Sequence, residues 1–542
     1  MHSRCWILLV ALLALVIRFH NLTEVLVGGH LYFIDADCYS RMSRAQMVSK
    51  APGTVVHYQQ FENWPDGVVS HATAPLDYLI VGMERVLRTL WPVQGRFASL
   101  AEQTLDVAGA LVSPLLGALL CLIIAFWARS LRLTDGKRPA CWWMAPLLLA
   151  VSPALVHATV FGRPDHQSLL VFTLGIALVA EHRMLVQPGR FWTILGGVMW
   201  GLGLWVSLFE PLILLVANCL LGIGFARGAW KNRARIVWAV CLFAVVVFAY
   251  AVEGIPYAMP DMQFRDAFVR WGDSIGELRG LGGIEAFGYW LGALIWIAPV
   301  ALWICFHREI GPGRGWLKVA GGLAAFTVIL TYWQVRWSPY AVLSFALMTP
   351  WMLSVPKQAW QGALAGLLAL IPVANEWQQS LDLSVEESEG KYLDRSERIN
   401  ARLAADRMRA PEVLPFIAPW WLSPSLAYWS GQPAVAGSGH EGISGILDTA
   451  RFFLATDPVQ ARAILNKRGV RLVVASDSAR AIQNSVDVLG VAAPPKPLAE
   501  RLWEPNLEEA WGLGGERNVT TFRILAVMPS KQESVPAEGA PE

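Results

Sequence analysis

Charge and cysteine are both scarce in this chain. Asp, Glu, Lys and Arg make up 16% of its 542 residues and the formal net charge is +2, so no field of the kind that attracts nucleic acid is implied. The seven cysteines stand at 5, 38, 121, 141, 219, 241 and 305, mostly inside apolar runs and none beyond 305. That spacing is not a disulfide framework. Internal repeats are also lacking. What is abundant is apolar surface: 55% of the residues are hydrophobic and 26 are Trp, too apolar for an ordinary soluble domain and fitting a polytopic membrane protein followed by a soluble part.

A spanning helix needs roughly 20 apolar residues. Candidate stretches are 5–19, 107–127, 141–161, 168–180, 191–226, 236–252, 286–306, 316–333, 340–355 and 360–374. With 191–226 read as a tight pair, about eleven spans result. Glu210-Pro211 interrupts that stretch, and the positive-inside rule decides how to read it. Arg129, Arg132, Lys137 and Arg138; Arg183 and Arg190; Arg227, Lys231, Arg233 and Arg235; Arg308, Arg314 and Lys318; and Lys357 all share one side only if Glu210 is a hairpin tip. The first loop, about 20–106, also contains Arg and Lys, but loops of that length translocate largely regardless of charge. Arg4 ahead of a short apolar core leaves a signal peptide as the alternative for the first stretch, although no small-residue cleavage site follows it. On either reading Asp35 is exported.

This topology puts Asp35, Asp37, Asp165, Glu210, Glu277, Arg336 and everything after residue 374 on the outer face. Acidic residues often cap spans near water, but local context argues for more. In Asp35-Ala-Asp37-Cys-Tyr39, two carboxylates stand just outside a span, where they must be solvated, paired or bound to a cation. In Gly162-Arg163-Pro164-Asp165-His166-Gln167, an acid, an imidazole and an amide are consecutive. Such oxygen ligands suit magnesium or manganese. The loop at about 253–285 is long enough to be functional and carries Ser274-Ile275-Gly276-Glu277. Arg336 stands between aromatics at the membrane surface, fit either for interfacial anchoring or for clamping a phosphate. Carboxylates for a divalent cation beside an exposed Arg suggest chemistry on a phosphate-containing lipid.

Taken together, these residues resemble the catalytic subunit of oligosaccharyltransferase in its bacterial and archaeal single-subunit forms, over most of the chain. "DADCY" is similar to the first acidic motif of that family, "GRPDHQ" to the second, "SIGE" to the TIxE motif and "VRWSPYAV" to the segment whose Arg touches the lipid pyrophosphate. "WPDGVVSHATAPLDYL" resembles a Pro-rich turn and helix of the first loop, where His71 has no assigned role. Each motif alone is weak; four in order on one face are strong.

The resemblance implies an α-helical polytopic membrane protein of the GT-C type with about eleven spans (1–374) and a C-terminal soluble domain on the outer face (375–530); the helix and strand pattern at 451–476 makes that domain mixed α/β, and the composition of 531–542 reads as a disordered tail. It implies transfer of a glycan from a polyprenyl-pyrophosphate carrier to a protein or peptide acceptor, an Asn side chain, with inversion, at the periplasmic face of an inner membrane. Asp37 would bind metal and contact the acceptor, with Asp35 its companion. Asp165 and Gln167 would be further ligands to Mg2+ or Mn2+, Glu277 would orient the acceptor, and Arg336 would hold the pyrophosphate. Trp420 and Trp421 would wall the acceptor site. Leu422 departs from the pattern: the family has an Asp there that recognises a Ser or Thr hydroxyl two residues after the acceptor Asn, and a leucine accepts no hydrogen bond. Two other readings stand beside this one. Another GT-C transferase would use a lipid-phosphate donor with a hydroxyl or lipid acceptor. A transporter or flippase would place its acids in mid-span, whereas these lie in outer loops.

Overall fold

The computed structural model describes residues 2–90, 103–187, 189–230, 233–254, 264–308, 314–382 and 385–528. The tail expected at 531–542, and Lys231 of the positive-inside set, lie outside them. Among the described residues, five helices are long and apolar enough to cross a membrane: Cys5–Val25, Thr104–Arg129, His166–Val186, Ala234–Glu253 and Gly315–Trp333. Helix Thr104–Arg129 has no charge between Asp106 and Arg129. At 1.5 Å per residue its 26 residues exceed the hydrocarbon thickness. Phe243, Val247, Phe248, Trp303 and Ile329 point outward, an arrangement that water would penalise and lipid accepts. The chain is a multi-pass membrane protein.

The other expected spans form shorter helices, and in one of them a proline sets the break. Expected span 141–161 is Met144–Val151 followed by Pro153–Ala158, because the residue before a proline is pushed to extended backbone; Ser152 has φ −63° and ψ 121°. Span 340–355 is Ser338–Ala346 followed by Thr349–Met352, and the last becomes Ala359–Ala369 and Ile371–Leu381, running past the boundary expected at 374. In 191–226, helices Arg190–Val206 and Phe209–Phe225 form the expected pair. The turn is at 207–208. Glu210 and Pro211 lie in the first turn of the second helix, where proline is tolerated.

In the first long loop, helices Ala36–Lys50 and Ala74–Leu90 are locked by Asp77, which pairs with Arg41 and Arg44 at 2.8 Å each. After the last membrane helices, Val385–Met408 leads to a four-stranded sheet in the order Phe416–Ile417, Leu472–Ala475, Arg523–Val527, Leu513–Gly514. The first pair is parallel and the others antiparallel. Helices Ile443–Leu454, Pro458–Lys467 and Ser478–Leu489 accompany it, giving the mixed α/β unit expected. One apolar cluster spans both parts, joining Tyr39, Val107 and Phe161 to Phe416, Leu422, Leu426 and Leu472.

Candidate active site

Two helix starts carry the acidic motifs. Asp35 is the N-cap of Ala36–Lys50, accepting from the Cys38 amide at 3.0 Å, and Asp37 follows in the first turn, where a negative charge is favoured. Asp165 holds the corresponding position before His166–Val186, its carboxylate 2.6 Å from His166 Nδ1. The chain reaches it through Gly162 at φ +79°, where an added Cβ would meet Val25 at 2.7 Å. Only glycine fits that approach.

Arg163, between that glycine and Pro164, is the centre of the cluster. Its guanidinium lies 3.7 Å from Asp35, 3.7 Å from Asp165 and 3.9 Å from Glu277, and it meets His157 Nε2 at 2.6 Å. Glu277, in the short 3-10 turn Gly276–Leu278, accepts from the Gln167 amide at 2.9 Å. Three segments far apart in sequence thus converge. Burial first, then Asp35 and Asp165, push the Asp37 carboxyl up to about 7, while a hydrogen bond from Ser438 opposes them. For Asp165 burial acts upward too, but His166 and Arg163 win and hold it far below the usual carboxylate range. Carboxylates outnumber cations here, so the cluster demands positive charge.

The expected residues are placed as follows. Asp35, Asp165 and Glu277 meet through Arg163, and Gln167 joins them through Glu277; Asp37 is coupled by charge and bound to Ser438. Arg336, in the 3-10 turn Val335–Trp337, pairs with Glu210, whose other oxygen accepts from Ser207 at 2.9 Å. Arg336 Nε is buried without a hydrogen-bond partner. Trp420 and Trp421 are not in this cluster: Trp420 donates to Asn484 at 2.7 Å and packs on Trp271, and Trp421 lies under Arg480. Leu422 is only 6% exposed. It is a core residue.

Sequence reasoning did not foresee the central role of Arg163, although a charge between Gly and Pro at the end of an apolar run was a signal. Glu62 had none. It is buried, accepts from Ser40, and Ser40 lies 3.1 Å from Ser438, which binds Asp37. Burial pushes the Glu62 carboxyl up to about 7. Beside it, burial acts upward on Glu441, but His71 and His440 hold it at about 2.

No family model and no curated protein matches the chain. Solved structures do. A crystal structure of the Archaeoglobus fulgidus oligosaccharyltransferase in complex with Zn and sulfate is 16% identical, covering 97% of this chain and 74% of that one, with a TM-score of 0.65. The archaeal oligosaccharyltransferase AglB from the same organism, in complex with an inhibitory peptide and a dolichol-phosphate, gives 14%, 99%, 75% and 0.64. ArnT from Cupriavidus metallidurans, bound to undecaprenyl phosphate, gives 14%, 97%, 98% and 0.53. The chain therefore has a GT-C membrane fold. Within that class it takes the form seen in oligosaccharyltransferases.

Proposed function

We propose that the chain is a membrane glycosyltransferase that moves a glycan from a polyprenyl-pyrophosphate carrier to a protein acceptor, the side-chain amide of Asn, with inversion at the sugar carbon, on the outer face of an inner membrane. The observation that carries this reading is the convergence of Asp35, Asp165 and Glu277 on the buried Arg163, with Asp37 beside them, on a fold shared with oligosaccharyltransferases. The neighbours bind lipid phosphates and, in one case, a peptide, which supports a lipid-linked donor and a peptide acceptor here.

In the reaction the amide nitrogen bonds to the anomeric carbon, the bond from that carbon to the pyrophosphate oxygen breaks with its electron pair leaving on the pyrophosphate, and the nitrogen passes a proton to the Asp37 carboxylate. Asp37 and Glu277 accept hydrogen bonds from the amide and orient it; Asp35 fixes the helix start that carries Asp37. Arg336, braced by Glu210, directs its remaining donors at the pyrophosphate. The donor set fits a divalent cation. Hard carboxylate oxygens dominate it, their charge is incompletely met, and one neighbouring structure contains zinc. Asp37 and Asp165 would hold Mg2+ or Mn2+ with the Gln167 carbonyl oxygen, and the ion would offset charge on the leaving pyrophosphate.

A second reading has specific support. Leu422 is buried where the family's hydroxyl-reading Asp stands, and the match to ArnT covers nearly all of both chains. A GT-C transferase with a lipid-phosphate donor and a hydroxyl or lipid acceptor needs no carboxylate to read a Ser or Thr hydroxyl. Purified protein given lipid-linked glycan and an Asn-containing peptide separates the two. On the first reading Asp37→Ala and Asp165→Ala each lower glycopeptide formation roughly 100-fold or more, and a chelator stops the wild type. Chelator-resistant transfer would remove the metal from the proposal, and glycolipid without glycopeptide would favour the second reading.

A further inference from the structure

A second ligand cluster lies at the junction of the first long loop and the C-terminal unit. His71 precedes helix Ala74–Leu90, while His440 and Glu441 form the 3-10 turn before Ile443–Leu454. Glu441 Oε1 accepts from the His71 amide at 2.6 Å and meets His71 Nδ1 at 2.7 Å. Its Oε2 lies 3.5 Å from His440 Nδ1. The two imidazole rings are 4.8 Å apart. Among the described residues, this is the trio of His, Cys, Asp or Glu side chains whose ligand atoms all lie within 4.8 Å of one another.

An independent observation says that the cluster wants a cation. The Glu441 side chain is 6% exposed, and its Oε2 is buried with no hydrogen bond, the His440 nitrogen standing 3.5 Å away. An anionic oxygen left so is costly unless something positive meets it. Two nitrogens and one carboxylate oxygen are a borderline-soft set, suited to zinc and poorly suited to magnesium. Ligands on a tetrahedral zinc at about 2.0–2.2 Å stand roughly 3.3–3.6 Å apart, a spacing that side-chain rotation reaches here. His71 is 45% exposed, which gives an entry path from solvent.

We propose that His71, His440 and Glu441 hold a zinc ion at a site separate from the Asp37 and Asp165 cluster. The site ties the first long loop to the C-terminal unit. Three protein ligands leave the fourth position open to water.

The test uses the full chain in detergent, stripped with a chelator and titrated with Zn2+ alone by calorimetry, with Co2+ absorption as a coordination readout. Wild-type protein and Asp37→Asn, which alters the other cluster, are expected to bind this zinc equivalent and to melt several degrees higher with it. His440→Ala and the His71→Ala/His440→Ala pair are expected to lose the equivalent, or bind it at least tenfold more weakly, and to lose the Tm shift. Equal zinc stoichiometry, affinity and Tm shift in wild type and the double variant would overturn the proposal. A second measurement needs no variant: Zn2+ is expected to protect His71 and His440 of the wild type from diethylpyrocarbonate, read by mass spectrometry. Unchanged modification of both would also overturn it.

Discussion

Leu422 shows what one residue decides. It belongs to an apolar cluster with Tyr39, Phe416 and Leu426, so a carboxylate there would be buried without a cation. Leu422→Asp is expected to destabilise the protein by about 3–5 kcal/mol, the scale for an uncompensated buried charge, without adding a Ser or Thr preference. In the wild type, peptides with Thr or Ala two residues after the Asn are expected to react within tenfold of each other, because a hydrogen bond to a charged group, worth about 1.5–3 kcal/mol, is not available at this position. Transfer rates for such a peptide pair, and urea or thermal melts of the variant, check both halves. A strong Thr preference in wild-type protein would mean that another residue reads the hydroxyl. At this scale the sequence was legible where chemistry was local. Asp35 and Asp165 stand immediately before helices, a placement with its own physical signature. The links from Asp37 through Ser438 and Ser40 to Glu62 were not legible, since Ser40 and Ser438 lie in different parts of the chain and no spacing rule relates them.

Among elements, the packing of Ala36–Lys50 on Ala74–Leu90 positions the first acidic motif. Asp77 is fully buried and holds two guanidiniums, one from Arg41 and one from Arg44, while Arg41 also donates to the Thr73 carbonyl and Arg44 to the Val56 carbonyl. Removing the carboxylate strands two buried cations, so Asp77→Ala is expected to cost about 3–5 kcal/mol. It should lower transfer by displacing Asp37. A denaturant melt and an activity assay on the same sample test this; stability within 1 kcal/mol of wild type would show that the helices are held by their apolar faces instead. Hydropathy located the membrane segments because lipid rewards any apolar run. It did not show which runs bend, since the break at Ser152 follows from local backbone sterics that an average over a window erases. The Glu210 hairpin was legible only through the charges of distant loops. Its partnership with Arg336 was not, because two charges in separate loops can pair in many ways before packing selects one.

For the molecule as a whole, the membrane part and the C-terminal unit share a core and a hydrogen-bonded seam. The Trp64 amide donates to the Ala434 carbonyl at 3.0 Å and the Ala434 amide to the Phe61 carbonyl at 2.9 Å. Arg468 joins Asp448 to Asp66, and Tyr428 binds Asp106. Glu62 lies in this seam, 4% exposed, facing Ser40 with Asp37, Glu441 and His71 as its charged neighbours. Burial pushes its carboxyl from the ordinary glutamate value of 4.5 up to about 7. A carboxyl raised in the folded state keeps its proton there while the unfolded chain has released it, so folding binds a proton between those two values and stability falls as pH rises. The contribution of Glu62 is therefore full below about pH 4.5, declines with a slope approaching about 1.4 kcal/mol per pH unit, and is gone above about pH 7. Glu62→Gln stays neutral at every pH. Thermal or denaturant melts of chelator-treated protein between pH 4.5 and 7.5 are expected to show the wild type losing stability against this variant as pH rises. A constant difference across that range would mean that Glu62 is already ionised in the seam, balanced by His71 and its solvent.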